Sequence, residues 1–248
     1  MKMLTWNVNG IRARQQEVAS LIEVEQPDIV CLQEIKASPD KVPALMVAAN
    51  GYWCFWHGAS GYSGVALLIR HGFFTEQPAF RHPSFDHEER IVVADLGPLT
   101  VASVYVPNGG KDFDAKMRFL EALVAWSSES QASGRTLLVC GDLNVAREER
   151  DIHPKLRQPN QIGTRPEERA RLGGLLAGGL VDVGRTLDPD NNELFTWWAP
   201  WRNLRQRNIG WRIDYLLVSP LLAATATRSV SMREFGTSDH APVVTTFA

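Results

Sequence analysis

The sequence is poor in cysteine: Cys31, Cys54 and Cys140 are an odd number, with no CxxC spacing, each inside an apolar run. That argues against a structural zinc site and a disulfide framework, and predicts buried, reduced thiols in a cytoplasmic protein. No apolar run reaches the roughly 18 residues that a membrane-spanning helix needs. Charge of one sign is also missing. The 26 Lys and Arg nearly balance the 28 Asp and Glu, a formal net charge of −2, so no strongly basic arm or tail can be the main way of holding nucleic acid. A local basic patch is still allowed. Repeats, low-complexity tracts and long linkers are absent. The first strand is expected to start at Lys2, which leaves no room for a signal peptide. No GxSxG, HExxH or Cys–His signature occurs, and "NGGK" at 108–111 lacks the spacing and the Ser/Thr of a phosphate-binding loop.

What is present is a chain of 248 residues, 44% hydrophobic and 22% charged, which is enough to bury a full core. No shift of composition marks a boundary, so 1–248 is expected to form a single domain. Short β-rich runs follow one another: "MLTWNV", "DIVCLQ", "YWCFWH", "GVALLIR", "RIVVADL", "LTVASVYVP", "TLLVCGDL", "LFTWW", "IDYLLVS" and "HAPVVTTF". Helical periodicity interrupts them at about 13–25, 40–49, 115–128 and 166–178. Many strands with a few helices between them predict two packed sheets with helices outside.

The polar residues fall at strand ends. Asn7 and Asn9, Glu34, Tyr105 and Asn108, and Asp142 and Asn144 stand at C-terminal ends; Asp214, Asp239 and His240 stand at N-terminal ends. Where strands run antiparallel, these two kinds of end lie side by side, so the whole set can share one rim. Each residue alone has an ordinary reading. Asn and Asp after a strand make Asx turns, and Glu34 could be a solvated loop carboxylate. Asp214 interrupts an apolar strand and needs a partner, for which Arg212, two residues away on the same face, is a candidate. Together, four carboxylates, a His and a Tyr match metal-assisted hydrolysis of a phosphodiester. Carboxylates with oxygen-rich neighbours suit Mg²⁺ or Mn²⁺. A further carboxylate activates water, and a cation or His stabilises the phosphoryl oxygens.

The segments "TWNVNGIRA", "DIVCLQEIK", "GYSGVALL", "VYVPNG", "GDLNVA", "NIGWRIDYLLVS" and "SDHAPV", in that order, resemble the exonuclease III family of abasic-site (AP) endonucleases, over almost the whole chain. The resemblance implies a four-layered α/β sandwich of the DNase I-like kind. It implies Mg²⁺-dependent incision of double-stranded DNA 5′ to abasic sites, with Mn²⁺ able to substitute. Activity on blocked 3′ ends (3′-phosphodiesterase, 3′-phosphatase and 3′→5′ exonuclease) and a monomeric enzyme are also implied. By resemblance Glu34, Asp239 and Asn7 belong to the metal site, and Asp142 activates or aligns the water. Asn144 and Asn7 hold the network, Asp214 orients His240 onto the scissile phosphate, and Tyr105 and Asn108 lie near that phosphate. Some relatives carry Asp at the position of Asn9, which implies one charge fewer here. The segment before "GYSGV" is shorter than in many relatives.

Residues 196–213, "TWWAPWRNLRQRNIGWRI", hold four Trp, four Arg and no acid. Interleaved basic and aromatic residues suit DNA, with Arg on phosphates and planar groups against an opened stack; the competing reading is a core strand joined to a solvated loop. By resemblance Trp197, Trp211 and Ile213 line a pocket for a sugar without its base, and Trp201 or Arg202 lies near an intercalating loop. Lys111 and "RQPNQIG" at 157–163 resemble further phosphate contacts. His57, His71, His82, His87 and His153 have no ligand spacing and are expected to be structural. A 3′-end specialist, an RNA or lipid phosphodiesterase and a non-catalytic DNA-binding relative are the rival functions. A dead relative should have lost at least one of Glu34, Asp142, Asp214 or His240.

Overall fold

Alternating apolar runs become paired strands in the computed structural model, which describes residues 1–47, 49 and 51–248. In chain order the strands are β1 (Lys2–Asn7), β2 (Ile29–Gln33), β3 (Tyr52–His57), β4 (Val65–Arg70), β5 (Ala79–Arg81), β6 (Ile91–Leu96), β7 (Leu99–Tyr105), β8 (Thr136–Asp142), β9 (Val181–Asp182), β10 (Asp214–Val218), β11 (Ala226–Ser231) and β12 (Val243–Phe247). The α-helices are α1 (Ile11–Glu25), α2 (Ala44–Val47), α3 (Phe113–Ala132), α4 (Pro166–Ala177), α5 (Val183–Leu187) and α6 (Pro220–Ala223). Among the described residues they build two 6-stranded mixed sheets, ordered β11-β12-β1-β2-β4-β3 and β5-β6-β7-β8-β10-β9.

Period-two alternation sends the two faces of each strand to different cores. Met3, Ile29, Cys31 and Leu67 meet Val92, Val101, Leu138 and Leu216 between the sheets. The opposite faces pack under helices: Leu4, Trp6 and Leu32 against Ile11, Val18 and Leu21 of α1, and Val104, Val139 and Leu217 against Phe119, Leu123 and Leu172 of α3 and α4. The result is the four-layered α/β sandwich. Helix α3 starts where Asp112 accepts a 2.8 Å bond from the Ala115 N–H, satisfying one of the first-turn donors. Cys31, Cys54 and Cys140 are free thiols. No described helix is long and apolar enough to cross a membrane.

Three strands escaped the sequence reading. Strands β5 and β11 are sheet edges with mostly exposed or half-buried residues, and β9 is an edge of two residues, so none carries an apolar period. Two expectations fail. The 40–49 stretch gives only a 3₁₀ turn at Pro39–Lys41 and the short α2; Ala48 of that stretch lies outside the described residues. "LFTWW" is not a strand, since only Trp197 makes bridges, to Trp211 and His240. Its backbone bonds go to Trp211, Asp239 and Ala241 in loops, and Trp197 lines a cleft.

Candidate active site

Strand register assembles the site. Tyr105 lies beside Asp142 through the parallel β7–β8 pair, and Asp214 lies opposite Asp142 through the antiparallel β8–β10 pair. Strand β8 reaches that position because residue 141 is Gly, at φ +135°, where a Cβ would lie 2.0 Å from the Val104 carbonyl oxygen. From the other sheet, Asn7 closes the gap: its Nδ2 donates to Asp142 Oδ2 at 2.9 Å and to Glu34 Oε2 at 3.0 Å. Its Oδ1 accepts the Asn9 N–H at 3.0 Å, so the amide holds the carboxylates together from its donor side. Glu34, Asn9 and Asn144 sit in the left-handed region, at φ 54°, 45° and 51°. For Glu34 that conformation costs on the order of 1–3 kcal/mol, strain of the kind found at active sites.

The "SDH" run does more than close a turn. The Ser238 hydroxyl donates to the Asn7 carbonyl at 2.7 Å, tying the run to β1. Asp239 accepts from Asn9 Nδ2 on Oδ1 and from Trp197 Nε1 on Oδ2, both at 2.8 Å. His240 Nδ1 meets Asp214 Oδ2 at 2.9 Å, and its Nε2 faces Asp142 Oδ2 at 3.8 Å. Thr196 Oγ1 donates to Asp214 Oδ2 at 2.6 Å. Asn144 gives its backbone N–H to Asp142 Oδ1 at 3.0 Å and its Nδ2 to Oδ2 at 3.2 Å, and receives Asn108 Nδ2 at 3.2 Å.

These contacts set the charges. Burial disfavours the His240 cation, but Asp214 and Asp142 outweigh it and raise the imidazole from 6.5 to about 10. Burial raises Asp142; the His240 cation opposes that, Asp214 adds to it, and the carboxyl ends near 7. Asp239 stays ionised: burial raises it, but His240, Asn9 and Trp197 bring it below its ordinary value. Tyr105 is pushed well up by burial, then by Glu34 and Asp142, and remains a phenol donor. The rim thus combines an imidazolium, a carboxyl poised near neutrality and carboxylates.

Glu34, Tyr105, Asn108, Asp142, Asn144, Asp239 and His240 all open onto one cleft of about 430 Å³. Its other walls are Trp197, Trp211, Ile213 and the 161–163 turn. Trp211 stands edge-on to Trp197, with ring centroids 6.1 Å apart. A larger hollow of about 720 Å³ along β11 contains none of the strand-end set, so the smaller cleft is the candidate site. Trp201 is 59% exposed on the loop beyond, beside exposed Arg202, which has φ 56°. Lys111 is exposed and lines a neighbouring groove with Asn108 and Arg90.

The tertiary structure reassigns several residues. Arg212 is not the partner of Asp214; it forms a buried pair with Asp182 and lies 3.6 Å from Asp151. Arg205 points inward, donating to backbone carbonyls of Arg233 at 2.6 Å and Phe235 at 2.7 Å. Trp198 is core. Trp198, Arg205 and Arg212 are therefore structural scaffolding, while Trp201, Arg202 and Arg207 are exposed. His57 and His82, expected from their lack of ligand spacing to be structural, converge on Asp86, His57 Nε2 at 2.5 Å and His82 Nδ1 at 4.0 Å. Both Asp86 oxygens are occupied, Oδ2 by His57 and Oδ1 by the Arg90 and Ile91 N–H groups. Lys36 was missed: its Nζ lies 2.8 Å from Glu34 Oε1 and 2.7 Å from Asn9 Oδ1. So was Lys116, fully buried on α3, which donates to the Asn108 and Asn144 carbonyls at 3.1 and 2.7 Å and pairs with Glu168 at 2.5 Å. The visible signal for Lys116 was a charge inside the apolar stripe of Phe119, Leu120 and Leu123.

The description "Endonuclease/Exonuclease/phosphatase family" matches residues 4–240, nearly the whole chain. The chain belongs to that family. Exodeoxyribonuclease III of Haemophilus influenzae is 34% identical over 269 residues, which cover 98% of each chain. Recombination repair protein 1 of Drosophila melanogaster is 32% identical, and the chain spans 37% of its length. A structure of a Neisseria 3′ phosphatase bound to a product DNA hairpin superposes with a TM-score of 0.91 at 31% identity, covering 100% of this chain and 99% of that one. An AP endonuclease from Archaeoglobus fulgidus gives 0.90 at 28% identity, with the same coverage. Within the family the chain thus groups with the exonuclease III and AP endonuclease nucleases, which are hydrolytic enzymes. Its acidic cluster is able to hold a metal ion: Asp142, Asp214 and His240 offer ligand atoms within 4.8 Å of one another. Asp214 and His240 are bonded to each other, however; Glu34 and Asp239 open onto the cleft, each oxygen already meeting a polar neighbour.

Proposed function

We propose that this nuclease hydrolyses the phosphodiester 5′ to abasic sites in double-stranded DNA, as a Mg²⁺-dependent monomer acting through one domain, 1–248. The carrying observation is that the imidazolium and carboxylates share a cleft with the aromatic walls Trp197 and Trp211. One set of groups suits a phosphate, and the other suits a sugar. Pairing of β1 with β12 interlocks the two ends of the chain and supports a single unit.

The donors around the cleft are hard oxygens, which fit Mg²⁺ rather than a soft metal. Glu34 and Asp239 would hold it, with Asn7 beside them, and Mn²⁺ can replace it. When bound, the ion supplies charge neutralisation at the phosphate. Asp142, near 7, accepts the proton of the attacking water. Asn144 and Asn7 fix that carboxylate by three side-chain and backbone donors. His240, held by Asp214, presents its Nε2 proton to a phosphoryl oxygen, and Tyr105 and Asn108 donate from the other side. Exclusion of a normal nucleoside follows from the walls Trp197, Trp211 and Ile213, because pocket shape selects the extruded group. Trp201, Arg202 and Lys111 contact the duplex outside. A second reading is favoured by the likeness to the Neisseria 3′ phosphatase: removal of 3′-phosphate and other 3′ blocks, with 3′→5′ exonuclease activity.

The deciding experiment incubates a duplex carrying one abasic analogue, and a duplex ending in 3′-phosphate, with Mg²⁺ and with EDTA. Mg²⁺-dependent incision of the first is the expected result. Release only from the second would leave the 3′-end reading in its place.

A further inference from the structure

Trp197 belongs to two structures at once. Its backbone exchanges hydrogen bonds with Trp211, N to O and O to N, both at 2.9 Å. The next residue, Trp198, donates to the Asp239 carbonyl at 3.0 Å, and Ala241 donates to the Thr196 carbonyl at 2.8 Å. One short segment is thus stitched to a pocket wall on one side and to the "SDH" run on the other. The side chain repeats the pattern. Its ring forms the edge-on contact with Trp211, and its Nε1 proton goes to Asp239 Oδ2 at 2.8 Å. An indole N–H bonded to a carboxylate is a charge-assisted contact, short and directional.

We infer that Trp197 is a positioning residue which links the sugar pocket to the cation site through the orientation of Asp239. The inference rests on the proposed roles of Asp239 and of the cleft. With Oδ1 held by Asn9 and Oδ2 by Trp197, the carboxylate has one plane, and its remaining lone pairs point in fixed directions. A group that fills the pocket presses on the Trp197 ring and moves the donor that sets that plane. Linkage then requires the effect to run both ways: cation binding and pocket filling change each other's affinity by the same factor. An abasic nucleotide can fill the pocket; a paired nucleotide in an intact duplex does not enter it.

Trp197→Phe removes the N–H and keeps an aromatic wall. Mn²⁺ is the probe, measured by EPR on the DNA-free protein and on its complexes with an abasic-analogue duplex and an intact duplex. In the wild-type protein the abasic duplex should change Mn²⁺ affinity beyond the change made by the intact duplex. In Trp197→Phe, Mn²⁺ affinity without DNA should fall by about tenfold to a hundredfold, as expected for a lost hydrogen bond to a charged group, and the difference between the two duplexes should disappear. Trp211→Phe, which leaves the Asp239 contact intact, should preserve Mn²⁺ affinity without DNA. Should Trp197→Phe not fold, Trp197→Tyr takes its place. If the Trp197 variant binds Mn²⁺ as the wild type does while Asp239→Asn binds it weakly, the linkage is wrong and the metal site stands. If Asp239→Asn also binds normally, Asp239 is no ligand, and both readings fall.

Discussion

Asp214→Asn is the substitution that most directly tests how the site is charged. It keeps the shape of the side chain and the hydroxyl of Thr196 beside it, 2.6 Å from Oδ2. It removes the charge that leads the contributions raising His240 above 6.5 to about 10. That gap corresponds to on the order of 5 kcal/mol of preference for the cation, at about 1.36 kcal/mol for each pH unit. Asp214 supplies the largest share and Asp142 the next. Burial stays in the variant and opposes the cation, so His240 should become neutral around pH 7. A neutral imidazole can still donate one proton, but from whichever nitrogen the Asn amide leaves protonated, and without charge. Loss of one preorganised donor at the developing charge costs about 10²–10³ in kcat. The assay is single-turnover incision of an abasic duplex across pH, with the His240 titration followed by NMR in the metal-free protein. A variant that keeps kcat within about threefold, with His240 still titrating near 10, would refute this account of the site.

Chelation should abolish cleavage and Mg²⁺ or Mn²⁺ should restore it; Glu34→Ala should regain part of its rate at high metal, read from initial rates against metal concentration. In the metal-free protein, the raised pKa of His240 contributes stability that is complete below pH 6.5 and is lost as pH rises through about 10. Burial of Asp142, which titrates near 7 instead of 3.8, works in the same direction below neutrality. Urea unfolding should therefore give a stability that declines with pH across this range, and His240→Gln should flatten the upper part of the slope. Trp211→Ala should fold, retain Mn²⁺ binding and lose discrimination between abasic and intact duplex, because the pocket widens; unchanged discrimination would place the pocket elsewhere. Arg202→Ala should weaken binding to both duplexes and lower the salt dependence by roughly one counterion. Arg212→Met should cost about 3–5 kcal/mol in urea unfolding, because it strands the buried Asp182 carboxylate.

The sequence by itself determined the layers and the rim. Strand runs with helical stretches between them predict two packed sheets with helices outside, and ordered motifs put Glu34, Asp142, Asp214, Asp239 and His240 at strand ends. Local pattern carries that much because alternation and turn chemistry are properties of neighbouring residues. Partnership is not. Arg212 sits two residues from Asp214, yet its guanidinium reaches Asp182 across the β9–β10 edge, a pairing of residues 30 apart that no local rule contains. Burial raises the Asp142 carboxyl and Asp214 adds to that, while His240 and Asn7, 135 positions away, reach it from the other sheet and hold it near neutrality. The Trp/Arg segment looked uniform from residue types alone. Burial divided it, sending Trp198, Arg205 and Arg212 inward and leaving Trp201 and Arg202 in solvent. Composition fixes what a segment can bind, but only packing against the rest of the chain decides which of its side chains are free to do so.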